Sequence, residues 1–410
     1  MKQVVLVLAD TDIQISENEE FKELINACDM EIVYTIQQTI KKISFRTYIG
    51  SGKCEEIRDI VEDKKIDYIV FNQDLSPLQI RNLEEVIGVN VMDRSELILA
   101  IFESRATTSV ARLQIESAHL KKLLPRLIGA NVQLGRQSGS GKNKGVGEKQ
   151  LEIDRRRVKA RIHEVERILK EVEATRSTQR RAREKSTLPL VSLVGYTNAG
   201  KSTIMNMLLS YCEQDEDKKV LEKDMLFATL DTSIRSIELP FGKSFLLSDT
   251  VGFVSRLPHD LVSAFHSTLE EVKYASLLLQ VVDAHDSEYE KHMRVTQETL
   301  KQIGASHIPM IILFNKCDKT EFTYPKIQDN RMYMSAKESD NIPALLEFIH
   351  QTLHNDEVHC KLVLPYAQTS IYSKLMNNAH VLHRSDEEDG IHVEVTLSKI
   401  DYEKYKQYSQ

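Results

Sequence analysis

Leu190-Val-Ser-Leu-Val-Gly195-Tyr-Thr-Asn-Ala-Gly200-Lys201-Ser202-Thr203 decides how the chain is read. Leu190 to Gly195 is an apolar run broken only by Ser192, as expected of a buried strand. From Lys201 the apolar residues fall at helical spacing. Between them stands G-x-x-x-x-G-K-[ST], at the strand-to-helix junction where that pattern has a mechanical meaning. Glycines let main-chain N–H groups point at phosphate oxygens, and a helix start adds partial positive charge. The residues in reach of a phosphate chain are Gly195, Tyr196, Thr197, Asn198, Ala199, Gly200, Lys201, Ser202 and Thr203. Lys201 is placed to neutralise β- and γ-phosphates, and the Ser202 hydroxyl to ligate Mg²⁺. A glycine-rich turn that matches by chance is the bland alternative. Three motifs further along weigh against it.

The first is Asp249, Thr250, Val251 and Gly252, after the apolar stretch Phe245–Ser248. An aspartate at a strand end can hold the Mg²⁺ water shell, and Gly252 can bring its N–H to a γ-phosphate. The second is Asn315, Lys316, Cys317 and Asp318, closing the run that begins at Met310. The Asp318 carboxylate can accept from guanine N1–H and the 2-amino group together. Adenine offers neither donor, and such sites reject a competitor by ~10⁴–10⁵. The third is Ser335, Ala336 and Lys337, where the Ala336 N–H is expected at the guanine oxygen. Together these point to GTP and GDP rather than ATP.

Phe227, Ala228, Thr229, Leu230 and Asp231 lie between the phosphate loop and Asp249. A loop ordered by the γ-phosphate needs a threonine that reaches Mg²⁺. Thr229 is the first candidate and Thr232 the second; an ordinary surface threonine is the alternative. Lys201, Thr229 and Gly252 are the candidate catalytic groups, with Ser202, Thr229 and Asp249 around Mg²⁺. Phe253 follows Gly252, where many GTPases carry a water-orienting glutamine. A phenyl ring cannot orient water, so unassisted hydrolysis is expected to be slow. Asn198 is a candidate K⁺ ligand.

Outward from this core, residues 1–100 alternate apolar strands (Val4–Ala9, Ile32–Ile36, Tyr68–Phe71, Val89–Asp93) with amphipathic helices (Glu17–Ala27, Cys54–Lys64, Ser76–Val86). This predicts a small parallel α/β domain. An amphipathic helix over 105–125 is expected to end at Pro125 and Gly129. Gly129–Gly147 holds six glycines among polar and basic residues and reads as a mobile loop. A second long helix is expected from Glu148 to Lys185, giving a helical hairpin. Strands at Leu190–Gly195, Phe245–Ser248, Leu277–Asp283 and Met310–Asn315 predict a doubly wound α/β domain. The tail reads strand (Cys360–Leu364), helix (Ser370–Asn378) and two strands around Asp389-Gly390. The expected boundaries are 1–104, 105–187, 188–355 and 356–410.

These motifs, with Phe227–Asp231 and Asp249–Phe253 as they stand, resemble the HflX family of ribosome-associated GTPases. Tyr48-Ile-Gly-Ser-Gly-Lys53 with Glu55-Glu56-Ile57 is similar to the family's N-terminal signature. Arg126–Gly129 and Gly147–Arg156 are similar to its loop and second arm helix. The resemblance covers nearly the whole chain. It implies an N-terminal α/β domain with a hairpin arm, a Ras-like P-loop GTPase domain and a small α+β C-terminal domain. It implies a partner, the 50S subunit and 70S ribosome, with the hairpin near the peptidyl transferase centre. It also implies ribosome-stimulated GTP hydrolysis to GDP and phosphate, and splitting or rescue of stalled 70S particles. The glycine loop departs from the family's G-P-G-E-T-x-L-E at Gly145–Glu152, losing the proline and gaining lysines. That departure suggests a divergent second copy that confers tolerance to ribosome-targeting antibiotics.

The chain has 410 residues, 41% hydrophobic and 28% charged, with net charge −7. Each domain can bury a core, and a sequence-wide affinity for nucleic acid is disfavoured. Yet residues 121–185 hold 19 Lys/Arg against 8 Asp/Glu, a local charge of +11. A basic arm on an acidic body suits a local polyanion site, though charged helix faces are usually just solvated. Arg126, Arg136, Lys142, Lys144, Lys149, Arg155 and Arg156 are the candidate RNA contacts. The arm has no aromatics, so phosphate contacts rather than stacking should dominate.

Five cysteines without a C-x-x-C pair argue against a disulfide framework or zinc site and fit a reducing cytosol. Val4–Ala9 is too short for a signal h-region, and no run of ~18 apolar residues suggests a span. A cytoplasmic monomer is expected. Gly50-Ser-Gly-Lys53 imitates a phosphate loop but has Thr47 for the leading glycine and Cys54 for Ser/Thr. It is assigned to turn and packing duty. Two other classes remain: a GTP-gated RNA-remodelling or 50S assembly factor, and a scaffold that senses GTP without hydrolysing it. No added nucleophile or base cluster supports the first, whereas Phe253 leaves the second open.

Overall fold

The computed structural model describes residues 1–10, 15–137, 144–184, 188–212, 233–238, 244–255, 270–353, 357–366, 372, 375, 380–387 and 389–409. The chain divides into two compact units, Met1–Ile342 and Pro343–Gln410.

The first unit opens with β1 (Lys2–Asp10), α1 (Ile15–Asn26), β2 (Met30–Thr39), α2 (Ser51–Asp63), β3 (Tyr68–Phe71), α3 (Pro77–Ile87), β4 (Asn90–Met92) and α4 (Arg94–Arg105). The four strands form a parallel sheet in the order β2-β1-β3-β4. Helices cover both faces, which explains why β1 is a nearly continuous apolar run. Alternate β1 residues then divide between two layers. Val4, Leu6 and Leu8 cluster with Phe21 and Leu24 of α1 and with Ile98 and Phe102 of α4. Val5, Val7 and Ala9 cluster with Ile57 of α2 and Leu83 of α3. Local signals place α3 well: Ser76 and Gln79 form a reciprocal capping box, Pro77 takes the first turn, and Gly88 ends the helix at φ +82°.

The arm is α5 (Ser109–Gln137) and α6 (Lys144–Glu184). Arg161 on α6 bonds Glu116 on α5 through Nε at 2.6 Å and Nη2 at 2.8 Å, and Lys121 pairs with Glu166 at 2.8 Å. Two expectations are corrected here. Pro125 does not end α5. It removes one N–H, and since Lys121 and Pro125 are both exposed, water can take up the freed carbonyl. The glycine-rich segment is not a loop throughout 129–147, because helix runs to Gln137 and resumes at Lys144. Glycine weakens a helix by about 1 kcal/mol without forbidding it.

The third part of this unit holds β5 (Leu190–Gly195), α7 (Lys201–Tyr211), β6 (Ser233–Glu238), β7 (Ser244–Asp249), β8 (Leu277–Asp283), α8 (Tyr289–Gln302), β9 (Met310–Asn315), β10 (Lys326–Gln328) and β11 (Arg331–Tyr333). The sheet order is β10-β11-β9-β8-β5-β7-β6, with β6 and β10 antiparallel to their neighbours. Fully buried β5 lies between β7 and β8, so the 195–202 turn leaves from the middle of the parallel strand ends. That is where doubly wound sheets hold ligands. One apolar cluster runs from Phe21 and Leu97 through Val194, Tyr196, Val251, Phe253 and Val254, so the two sheets share a core.

The second unit contains most of α9 (Ile342–Leu353), then β12 (Glu357–Leu364), β13 (His380–Glu387), β14 (Gly390–Ser398) and α10 (Lys399–Tyr405). Its antiparallel sheet, β12-β14-β13, buries Leu362, Leu364, Val393 and Val395 with Tyr402 and Tyr405 packed against them. The expected helix Ser370–Asn378 lies outside the described residues except at 372 and 375. The closing α10 was not foreseen.

Candidate nucleotide site

Four strand ends converge. The 195–202 turn follows β5, Asp249 ends β7, Asp283 ends β8 and Asn315 ends β9. Gly195 has φ +147°, and a Cβ there would run into the Val281 backbone. Gly200 has φ +98°, and a Cβ there would strike the Asn315 amide. Both glycines are therefore required by conformation as well as by space. Gly252 is excluded from change by space alone, since an added Cβ would stand 2.7 Å from Thr197 Cα. Asn198 also has positive φ, +60°.

The side chains form one bonded set. Lys201, buried at 6% exposure, donates to Tyr196 O at 2.7 Å and to Gly195 O at 3.1 Å. The Ser202 hydroxyl donates to Asp249 Oδ2 at 2.8 Å, and Asp249 Oδ1 accepts from Thr250 N at 2.9 Å. Thr250 Oγ1 donates to Leu193 O at 2.6 Å, fixing the start of the turn after β7. Thr203 lies in the first turn of α7, and Val251 is buried.

Around the base-side motif, Asn315 Nδ2 donates to Ala199 O at 2.9 Å while its Oδ1 accepts from Ala336 N at 2.9 Å. Lys316, at φ +62°, donates to Asn198 O at 2.8 Å and Asp283 Oδ2 at 2.7 Å. Ser335 Oγ donates to Asp318 Oδ1 at 2.8 Å, and Lys337 N to Ser335 Oγ at 3.3 Å. Cys317 is buried and its thiol bonds Phe314 O at 3.2 Å. The motifs at 195–203, 249–252, 315–318 and 335–337 thus meet at one edge of one sheet. The Ala336 N–H, expected at a guanine oxygen, is bonded here to the Asn315 side chain that β9 delivers against the 335–337 turn.

Three family models match along the chain: "GTP-binding GTPase N-terminal" over 16–103, "GTP-binding GTPase Middle Region" over 105–183 and "50S ribosome-binding GTPase" over 190–316. GTPase HflX of Caldanaerobacter subterraneus is 41% identical over 379 residues, spanning 92% of this chain and 87% of that protein. GTPase HflX of Escherichia coli is 36% identical over 398 residues, spanning 95% and 92%. The chain belongs to the HflX family of GTPases. A GTP-binding protein from Sulfolobus solfataricus in complex with GDP covers 87% of this chain and 99% of its own, at 23% identity and TM-score 0.45.

In this HflX-family GTPase, burial pushes the Lys201 ammonium down to about 8, against the opposing pull of Asp249. Phe253 is buried at 2% exposure and held by its backbone: its N donates to Gly195 O at 3.1 Å and its O accepts from Thr197 N at 2.8 Å. Its ring lies in the core shared with Val254 and Tyr196, away from any water-orienting duty.

Phe227, Ala228, Thr229, Leu230, Asp231 and Thr232, and Lys142 of the arm, lie outside the described residues. Arg136 and Lys149 are placed only as positions on α5 and α6, and Lys144 begins α6. Arg155 and Arg156 pair with Glu152 at 3.4 and 3.1 Å. Arg126 is held by Glu96 of α4 at 2.6 Å. Three residues escaped sequence reasoning. Asp283 was findable, as the polar end of a strand beside the phosphate loop. Arg94 and Ser255, which meet across 161 positions, had no local signal.

Proposed function

We propose that this HflX-family GTPase binds the large (50S) ribosomal subunit through its basic arm and splits or rescues stalled 70S ribosomes. The observation that carries this reading is the charge division: +11 over residues 121–185 in a chain of net −7. The matched GTPase model is itself described as 50S ribosome-binding. Arg136, Lys142, Lys144 and Lys149, in the glycine-rich stretch of the sequence, are the candidate phosphate contacts. Arg126, Arg155 and Arg156 add charge that is partly neutralised by their carboxylate partners.

At the nucleotide, Lys201 releases the two loop carbonyls and neutralises the β- and γ-phosphates. Asp318 reads guanine, oriented by Ser335, and Asn315 braces both ends of the ligand. Ser202 and Asp249 offer hard oxygen donors side by side, which suits Mg²⁺, and Thr229 is the further candidate ligand. Bound Mg²⁺ supplies charge neutralisation between the phosphates. Asn198, turned outward at positive φ, takes K⁺; equal turnover in KCl and NaCl would remove that role.

The γ-phosphate draws in Gly252 and the 227–231 loop, and the arm moves onto ribosomal RNA. Phe253 leaves the attacking water without a side-chain guide, so the ribosome supplies one, a kind of trans-activation worth ~10³–10⁵. Hydrolysis then releases the factor. Sucrose gradients of 70S ribosomes with the protein and GTP test the reading. Conversion to free subunits is expected with GTP and not with GDP. Unchanged 70S peaks, with no protein on 50S fractions, would sink it.

A further inference from the structure

Arg94 is the first residue of α4, and its guanidinium is 4% exposed. One nitrogen, Nη2, donates to Ser255 O at 2.8 Å and to Glu20 Oε1 at 3.2 Å. The group also sits 5.3 Å from the centre of the Phe21 ring. Ser255 is three residues past Gly252 in the chain. It is held from its other side by the phosphate loop: its N donates to the Tyr196 hydroxyl at 2.6 Å, and its Oγ lies 2.7 Å from that hydroxyl. Residue 255 is therefore clasped between Tyr196 after β5 and Arg94 at the start of α4.

The same helical turn also holds the arm. Asp93 caps α4 by accepting from Glu96 N at 2.8 Å, and it is ion-paired with Lys122 of α5. Glu96, in the same first turn, takes Arg126 of α5 at 2.6 Å. Lys122 and Arg126 are one turn apart on α5, so two consecutive turns of the arm are pinned by one turn of α4.

We infer that the first turn of α4 is a joint between the nucleotide site and the arm: Arg94 registers the position of Ser255, while Asp93 and Glu96 pass it to Lys122 and Arg126. Ser255 is only three residues, at most about 10 Å of chain, from Gly252, so a shift of Gly252 toward a γ-phosphate is expected to reach it. When its carbonyl withdraws, Arg94 keeps a buried charge with only Glu20 opposite. Such a group is costly unless its partners follow, so the start of α4 moves with Ser255 or admits water. The helix cap moves as a unit, and the ion pairs carry the arm with it. This makes Arg94 a positioning residue that touches neither nucleotide nor RNA. The inference rests on GTP binding and hydrolysis, and it stands apart from any reading of the ribosome.

Hydrogen–deuterium exchange on the full chain tests it, comparing GDP with a non-hydrolysable GTP analogue. In the natural protein the amides around Lys122 and Arg126 are expected to change exchange rate about fivefold between the two nucleotides. Arg94→Met keeps most of the side-chain volume and removes the donors. It should abolish that difference while GTP affinity stays within about twofold. Arg94→Lys should restore part of it, which a loss of packing would not. Lys122→Met, at a partly exposed site, breaks the joint from the arm side and should also erase the arm's response. A full nucleotide response of the arm in Arg94→Met or Lys122→Met overturns the inference. So does a natural protein whose arm exchanges identically in both nucleotides.

Discussion

Two turns in this molecule have nearly the same letters and opposite fates. Gly50-Ser-Gly-Lys53 opens α2, and Gly195 to Lys201 opens α7. Gly50 is an ordinary helix cap at φ −70°, and a Cβ on Gly52 would meet nothing within 4 Å. Lys53 reaches outward to Glu56 at 2.7 Å. In the other turn both glycines have positive φ, both are walled in by neighbouring strands, and Lys201 is folded inward onto carbonyls. A lysine after a glycine is not what makes a phosphate cradle. The left-handed backbone, the crowded wall and the buried charge are what set the second turn apart.

The widest separation of the two sites should come at the base. Asp318→Asn is expected to cut discrimination of GTP over ATP by about 10³ or more, read as the ratio of dissociation constants. Any variant at Lys53 should leave that ratio alone. Lys201→Ala should weaken GTP by about 10²-fold, as expected for a lost charge-assisted contact, whereas Lys53→Ala should change nothing. Equal losses from both would erase the contrast.

Acidity gives a finer cut. Burial pushes the Lys201 ammonium down to about 8, and a bound triphosphate is expected to raise it again. Below that value both states carry the proton, so affinity is flat. Above it, binding must take up a proton, and GTP affinity should fall about tenfold per pH unit. Isothermal titration between pH 7 and 9.5 checks the sign, and a flat profile would contradict the assignment. The smallest effect is on folding. Gly52→Ala should stabilise the chain by about 0.4–1 kcal/mol, since the helix accepts it and nothing is in the way. Gly200→Ala should destabilise by about 1–3 kcal/mol from backbone strain. Denaturant midpoints compare them.

Much of this was legible beforehand where short-range physics decides. The runs Tyr68–Phe71, Leu190–Gly195, Leu277–Asp283 and Met310–Asn315 coincide with β3, β5, β8 and β9, because fully buried parallel strands are apolar throughout. The motif residues at 195–203, 249–252 and 315–318 gather at one sheet edge for the same reason, since each follows an expected parallel strand; β11, which brings 335–337 there, was not expected. Pro125 misled because a proline's cost depends on whether water reaches the freed carbonyl, which no local rule reports. The bond from Ala336 N to the Asn315 side chain could not be read, since only the fold brings the two residues together. Arg94 and Ser255 are an unremarkable pair of letters, made partners by how two sheets share a core.

Asn315 spans from Ala199 to Ala336 with a single amide. The turn proposed to hold the phosphates and the turn proposed to face guanine are thereby stitched together. Filling one end steadies the other, so guanosine alone and pyrophosphate alone should each bind far worse than their joined form would suggest. The ligand behaves like a key whose bow and teeth must enter the lock at once.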